Sequence, residues 1–242
     1  CTDGTVRAFY HRGSTRSAGS IVSVSTGTGG TVLTGLASRS LSGTVSASGT
    51  LAGYTLADGV EILDTDDQGG YARIYLSRLA GASLTAGNVR YYTLNAAGQI
   101  DRLILEDATG DTAVYAYVTA AERNSGGNSV SGSYTYLRDG QSTTLNVNEA
   151  YSVKTGGAVL SYEDGQLKSM RQLKSVKVTA LTNLTATADN REYRVSETVQ
   201  VLLKDSAYED KFYATTLSQI NASDYQLTGW YDDYGGAGGQ IR

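Results

Sequence analysis

The strongest constraint on this chain is that part of it occurs twice. The stretch Tyr54–Arg102 returns as Tyr193–Arg242. Tyr54 and Val60 answer to Tyr193 and Val199, and Leu76-Ser77 answers to Leu217-Ser218. Tyr91-Tyr92 answers to Trp230-Tyr231, and Gly98-Gln99-Ile100 to Gly239-Gln240-Ile241. The anchors keep one order, and the kept positions are Tyr, Val, Leu, Ile and Gly rather than acids or bases. The expectation is a tandem of one β-rich module whose repeated pattern is a packing scaffold.

Composition decides which kind of module. There is no Pro, 18 of the 242 residues are Tyr, and 29 are Gly, while His, Met, Trp and Cys occur once each. Tyr and Thr favour pleated, half-exposed surfaces, and Gly supplies the positive φ of tight turns. This is the make-up of an all-β extracellular protein. The net charge of −4 and a pI near 5.0 speak against a nucleic-acid partner. Cys1 stands alone, so the chain can form neither an internal disulfide nor a cysteine-based metal site. An N-terminal Cys is either a bacterial lipidation site or a fragment end. No apolar run reaches the roughly 20 residues of a membrane helix, so no membrane span is expected.

Taken in order, the chain reads as two antiparallel barrels or sandwiches with short helical turns, over residues 1–110 and 111–242. The boundary is the DATGD stretch at 107–111. Thr5–Tyr10 and Thr112–Val118 resemble each other, with a strand expected around Val6–Tyr10, and read as the openings of the two copies. Tyr71–Tyr75 alternates, Leu76–Leu79 reads as a single helical turn, and Asn95–Gly98 as a tight hairpin turn. The second copy carries an inserted meander near 133–165, which includes a short strand at Tyr151–Val153. Leu167, Met170 and Leu173 recur every third residue and read as a helical turn or two. The second copy stops at Arg242, where the first runs on through Leu105, so the sequence reads as a piece of a longer protein with its last strand cut.

The stretches LTGWYDDYGGAGGQIR and VRYYTLNAAGQIDRLILEDATGD resemble repeat modules of large secreted proteins of gut clostridia, which carry S-layer homology domains elsewhere in the chain. The likeness covers about Tyr54–Asp111 and Tyr193–Arg242. It implies an extracellular, cell-surface location and a role in wall or S-layer architecture. Partners would then be other surface-protein copies or a cell-wall polymer. The resemblance brings no catalytic residues with it.

Four groups of residues are candidates for chemistry. Asp64, Asp66 and Asp67 form an acidic turn, but an EF-hand ligand set fails here because position 5 is Gln68 and position 12 is Tyr75. Either another kind of calcium site or a solvated acidic turn remains, and Asp232-Asp233 has the same two readings. Tyr92, Trp230, Tyr231 and Tyr234 offer rings on which a sugar face can stack. Neighbouring strand residues point to opposite faces, so one of each adjacent pair turns inward. Lys168, Arg171, Lys174 and Lys177 are spaced by threes and, on a helix, would form one cationic face. His11 is the single histidine, and no G-x-S-x-G elbow accompanies it, so a serine triad has no support. Asn183 and Asn221 begin glycosylation patterns of little weight in a bacterial protein. The chain therefore reads as a non-enzymatic structural module, with an adhesin for glycan, mucin or host protein as the competing reading.

Overall fold

A computed structural model describes every residue except Arg12, Ser14, Gly127, Asn128, Asp164, Glu209, Asp210, 233–236 and Gly238. The chain is almost entirely β and folds into two compact units, one formed by Cys1–Thr112 together with Ala237, the other by Ala113 onward. The candidate metal neighbour Asp233 and the candidate ring Tyr234 lie outside the described residues.

The first unit opens with a hairpin of β1 (Val22–Gly27) and β2 (Gly30–Gly35). Short strands β3 (Gly43–Thr44) and β4 (Thr50–Leu51) lead to the long β5 (Tyr54–Thr65) and its neighbour β6 (Tyr71–Ile74). Helical turn α1 (Leu76–Leu79), β7 (Ser83–Leu84), β8 (Val89–Leu94) and β9 (Ile100–Glu106) complete it. The main sheet runs β4-β5-β9-β8, with β6 also on β5. β9 is central: it lies parallel to β5 and antiparallel to β8. Its sequence, IDRLILE, buries the consecutive residues Leu103, Ile104 and Leu105, as a strand covered on both faces should. Leu103 and Leu105 are completely buried among Leu56, Ile62, Leu79, Val89 and Tyr92. Each such side chain contributes about 1.5–3 kcal/mol. Asn95 closes the β8–β9 hairpin by accepting from the Ala97 and Gln99 N–H groups.

The second unit holds two larger sheets. One is a five-stranded meander of β10 (Val114–Gly126), β11 (Ser129–Arg138), β12 (Gln141–Val147), β13 (Gly156–Glu163) and β14 (Gln166–Gln172), in the order β12-β11-β10-β13-β14. It has its own core around Val118, Tyr134, Leu160 and Met170. The other sheet gathers β15 (Lys174–Val178), β16 (Ala180–Leu181), β17 (Thr185–Ala188) and β18 (Arg191–Val195). A separate hairpin follows, β19 (Val201–Lys204) with β20 (Phe212–Thr215), then a 3₁₀ turn at Leu217–Gln219. β21 (Leu227–Tyr231) and β22 (Gln240–Ile241) then join the six-stranded order β15-β21-β22-β18-β17-β16.

Three sequence expectations are corrected. Leu167–Leu173 is not helical: it is β14 and the residue after it, with Met170 and Leu173 inward and Lys168 and Arg171 outward. Spacing by three misled here because β14 carries a register shift where it meets β13, between Ser161 and Tyr162. Val6–Tyr10 forms no ladder; the nearest pairing is a single bridge from His11 to Thr31. Its likeness to Thr112–Val118, which begins the 13-residue β10, was one of composition alone. Tyr151–Val153 is likewise not a strand, and the Tyr151 N–H instead donates to the Tyr134 hydroxyl.

The repeated anchors occupy matching places in the two units. β5 pairs with β6 by Ile62↔Ile74 through Thr65↔Tyr71, and β19 pairs with β20 by Val201↔Thr215 through Lys204↔Phe212. β5 meets β9 in parallel at Leu56↔Ile100, and β18 meets β22 in parallel at Val195↔Ile241. Tyr54 and Tyr92 stack with ring centroids 6.0 Å apart at 48°, and Tyr193 and Tyr231 at 5.0 Å and 51°. α1 and the 3₁₀ turn both begin at the matching leucines, Leu76 and Leu217.

Candidate functional site

The second unit contains an apolar cleft of about 430 Å³. Two strands border it. One is β19, from Val201 to Lys204, and the other is β21, through Thr228, Gly229 and Trp230. Its aromatic wall comes from three elements. Tyr117 of β10 lies 4.9 Å from Phe212 of β20 and 6.3 Å, edge-on, from Trp230. Loss of solvent raises the Tyr117 phenol above its usual range.

Glycine makes the indole's place. A Cβ on Gly156 would sit 2.3 Å from Trp230 Cη2, and one on Gly157 would sit 2.6 Å from Trp230 Cβ. The Gly-Gly pair at the start of β13 therefore lets β21 and its tryptophan approach the five-stranded sheet. Gln200 fixes β19 against the same sheet. Its Nε2 donates to the Tyr115 carbonyl at 2.8 Å, and its Oε1 accepts from the Asp139 N–H at 2.9 Å.

A buried ion pair stands beside the cleft, which its arginine lines. Arg242 Nε meets Asp232 Oδ2, and the two side chains are 3% and 0% exposed. Asp232 also accepts from the Tyr115 hydroxyl at 3.0 Å and the Gly239 N–H at 2.8 Å. The Arg242 guanidinium lies 4.7 Å from the Tyr115 ring centre. With those partners Asp232 acts as a fixed anchor, and its oxygens are directed at protein groups.

The backbone on both sides of the cleft is left with bonding capacity. Thr65 accepts from the Asp107 N–H, so the alternate residues Thr65 and Leu63 face β9. In β19 the Asp205 N–H donates toward β20, to Lys211, which turns Leu202 and Lys204 the other way, into the cleft. On the far side Trp230 accepts from the Arg242 N–H, so Thr228, two residues back, faces the same way. Among the described residues β19 has β20 as its one strand neighbour.

The remaining sequence candidates are dispersed. Tyr92 is 6% exposed and belongs to the first unit's core, with the Arg39 guanidinium 4.0 Å from its ring centre, so it offers no open face to a sugar. Tyr231 is half-buried against Tyr193. Among the described candidate rings Trp230 alone lines the cleft, and there it is flanked by other side chains rather than standing as a flat surface platform.

Asp64 is completely buried and accepts from the Ala108 and Thr109 N–H groups and the Thr109 hydroxyl. Burial pushes its carboxyl above the usual range, and those hydrogen bonds partly offset the push. Asp66 instead closes its own turn, accepting from the Gln68 and Gly70 N–H groups. Asp67 accepts from the Gln68 side chain. Among the described residues no group of three or more His, Cys, Asp and Glu side chains is placed to hold a metal ion. Lys168 and Arg171 stand on β14, Lys174 and Lys177 on β15 in the other sheet, so no single cationic face forms. No described helix is long and apolar enough to cross a membrane.

Sequence reasoning missed the cleft. Its walls are Val, Leu, Phe and Tyr at strand spacing, which read as ordinary core. No signal in the sequence separates Val201, Leu202 and Leu203 from the matching Ile62, Leu63 and Asp64; the structure shows the first three half-exposed and the others buried. No protein-family model, curated protein or solved structure matches the chain.

Proposed function

We propose that this chain is a non-catalytic structural and assembly module of a bacterial cell-surface protein, extracellular and S-layer-associated, that works by contact with other polypeptides. The cleft carries the reading. Its walls are strands whose backbone groups face the opening, and its lining is mainly aliphatic and aromatic. Among its lining groups Gln200 and Arg242 are engaged by protein partners, the latter by Asp232 beside the cleft. That arrangement suits a polypeptide better than a small polar substrate. The surface and S-layer setting rests on the resemblance of the repeated stretches. We read the matched registers of β5–β6–β9 and β19–β20 with β18–β22 as two copies of one module, supported by the stacked tyrosine pairs at equivalent places.

An adhesin for glycan, mucin or host protein is the second reading. The cluster of Tyr117, Phe212 and Trp230 favours it, because ring faces stack on sugars. Sedimentation velocity across a wide concentration range, alone and with surface proteins of the same cell, separates the two. Association with protein is the expected result. A monomer that ignores those proteins but binds on a glycan array would replace the assembly reading with the adhesin one.

A further inference from the structure

We propose that β12 is a self-association edge: it pairs antiparallel with β12 of a second copy of this chain, about a two-fold axis at Thr144, and joins the two five-stranded meanders edge to edge. The proposal deepens the assembly reading and rests on it.

The meander ends at β12 for a reason internal to the chain. The sheet order is β12-β11-β10-β13-β14, and among the described residues β11 is the one strand neighbour of β12. After Val147 the chain leaves the edge and crosses the sheet. The Tyr151 N–H donates to the Tyr134 hydroxyl of β11, and the Lys154 N–H donates to the Gln172 side chain of β14. Both connections of β12, the Asp139-Gly140 turn and residues 148–155, are thereby placed, and neither pairs with its outer side.

Turn geometry settles which groups face outward. Asp139 and Gly140 have φ of 50° and 75°, as a two-residue hairpin turn of the I′ type requires. The flanking pair Arg138↔Gln141 then exchanges both main-chain bonds, and the pairs alternate from there. Thr143, Leu145 and Val147 bond to β11. Ser142, Thr144 and Asn146 turn their N–H and C=O groups outward, and all three are exposed.

The two edges of this sheet differ, and the difference selects the occupant. On β14, Lys168 and Arg171 point outward and the pairing with β13 carries a register shift. Charge and irregularity of that kind keep an edge from pairing with its own copy. β12 reads QSTTLNV, with no charge and an unbroken register against β11. An acidic or basic strand would find no counter-charge there, whereas an identical strand meets no repulsion. With the axis at Thr144, the threonine faces itself and Ser142 faces Asn146, so every outward group gains a main-chain partner. Facing threonines favour such a pair. Thr144 already lies 2.9 Å from the Thr135 hydroxyl on β11, so a row of threonines would continue across the seam. The contact is isologous and closes at two copies.

Sedimentation velocity on the whole chain from low to high concentration, read beside amide exchange, tests this. One seven-residue strand pair buries less than the roughly 1,200 Å² of a stable interface, so a reversible dimer is expected at the upper concentrations. There the Ser142, Thr144 and Asn146 amides should exchange more slowly than in dilute protein. Thr143 and Leu145, bonded to β11, should stay slow throughout, in the variants as well, which shows them folded. Thr144→Lys should weaken the dimer by about tenfold or more, because two ammonium groups meet at the axis, and so should Thr144→Glu. Mixing the two variants should recover it. Arg171→Glu on the opposite edge should leave it unchanged. If each Thr144 variant dimerises as the unaltered chain does, association runs through another surface and β12 pairing is overturned, with the assembly reading intact. If the chain stays monomeric at every concentration, self-pairing is overturned, and binding to other surface proteins of the same cell would still uphold the assembly reading. If the mixed variants stay apart, the axis at Thr144 is overturned.

Discussion

The two β5-type hairpins share register, stacked tyrosines and a helical turn, yet one is closed and the other open. β5–β6 is sealed by β9, which buries Leu103 and Leu105 beneath it. β19–β20 faces a cavity of about 430 Å³ instead. Both hairpins keep the same register, one with β9 beside it and the other with a cavity. Side chains such as Gln200 tie β19 to the meander. Among the described residues, fifteen buried hydrophobic residues form the core that contains β9, against six in the one that contains β22.

That contrast can be broken most severely at β9. Leu103→Asp places a carboxylate in a fully buried site and should cost more than about 5 kcal/mol, unfolding the first unit. Val201→Asp, at a position matching Ile62, should cost only about 1 kcal/mol because water already reaches it. Urea unfolding followed by NMR signals from each unit reads both. Similar losses at the two sites would show that β19 is as enclosed as β5.

Next in size is the buried ion pair beside the cleft. Asp232→Ala leaves Arg242 buried without its carboxylate and should cost about 3–5 kcal/mol. Trp230-detected urea unfolding should report the loss in the second unit, with the first unit unchanged. Gly156→Ala comes third. It combines a φ of +139° with a contact against the indole, and about 1–3 kcal/mol is expected, with a shifted Trp230 emission. A silent substitution would place the indole elsewhere.

The smallest effect sharpens the acidic side of the first unit. Desolvation, then Glu106, Asp64, Asp66 and Asp67, push the Asp107 carboxyl from 3.8 up to about 6. The folded state therefore holds this proton more tightly than the unfolded chain does. Stability from the group is full below about pH 4 and is lost as pH rises to 6. Asp107→Asn should remove that decline, gaining about 1 kcal/mol or less at pH 7 relative to pH 4, because the group is partly exposed. Asparagine also tolerates the local φ of 46°. Denaturation curves at the two pH values test the sign.

Much of the fold could be read in the sequence because strand anchors repeat as large, unmistakable residues. Tyr54 and Tyr92, then Tyr193 and Tyr231, mark positions that pack together, and Asn95 with Gly98 marks the hairpin between β8 and β9. The all-β class followed from the same residues. Leu167–Leu173 was misread because a register shift in an antiparallel pair breaks period-two alternation. The site was hidden for a different reason. An apolar strand residue looks the same in sequence whether a neighbour covers it or not, so Val201 and Ile62 are indistinguishable until the sheet is built. Asp64 was legible as an acid but not as a buried one, since its partners Ala108 and Thr109 lie more than forty residues on.

Amide hydrogen exchange at four matched positions tests the central claim most directly. Leu63 and Thr65 face β9, while their counterparts Leu202 and Lys204 face the cleft. The account predicts slow exchange at Leu63 and Thr65, fast exchange at Leu202 and Lys204, and slow exchange at Leu203, which pairs with β20. Equal protection at Leu202 and Leu203 in the protein alone would mean that the edge of β19 is already closed, and would contradict the account.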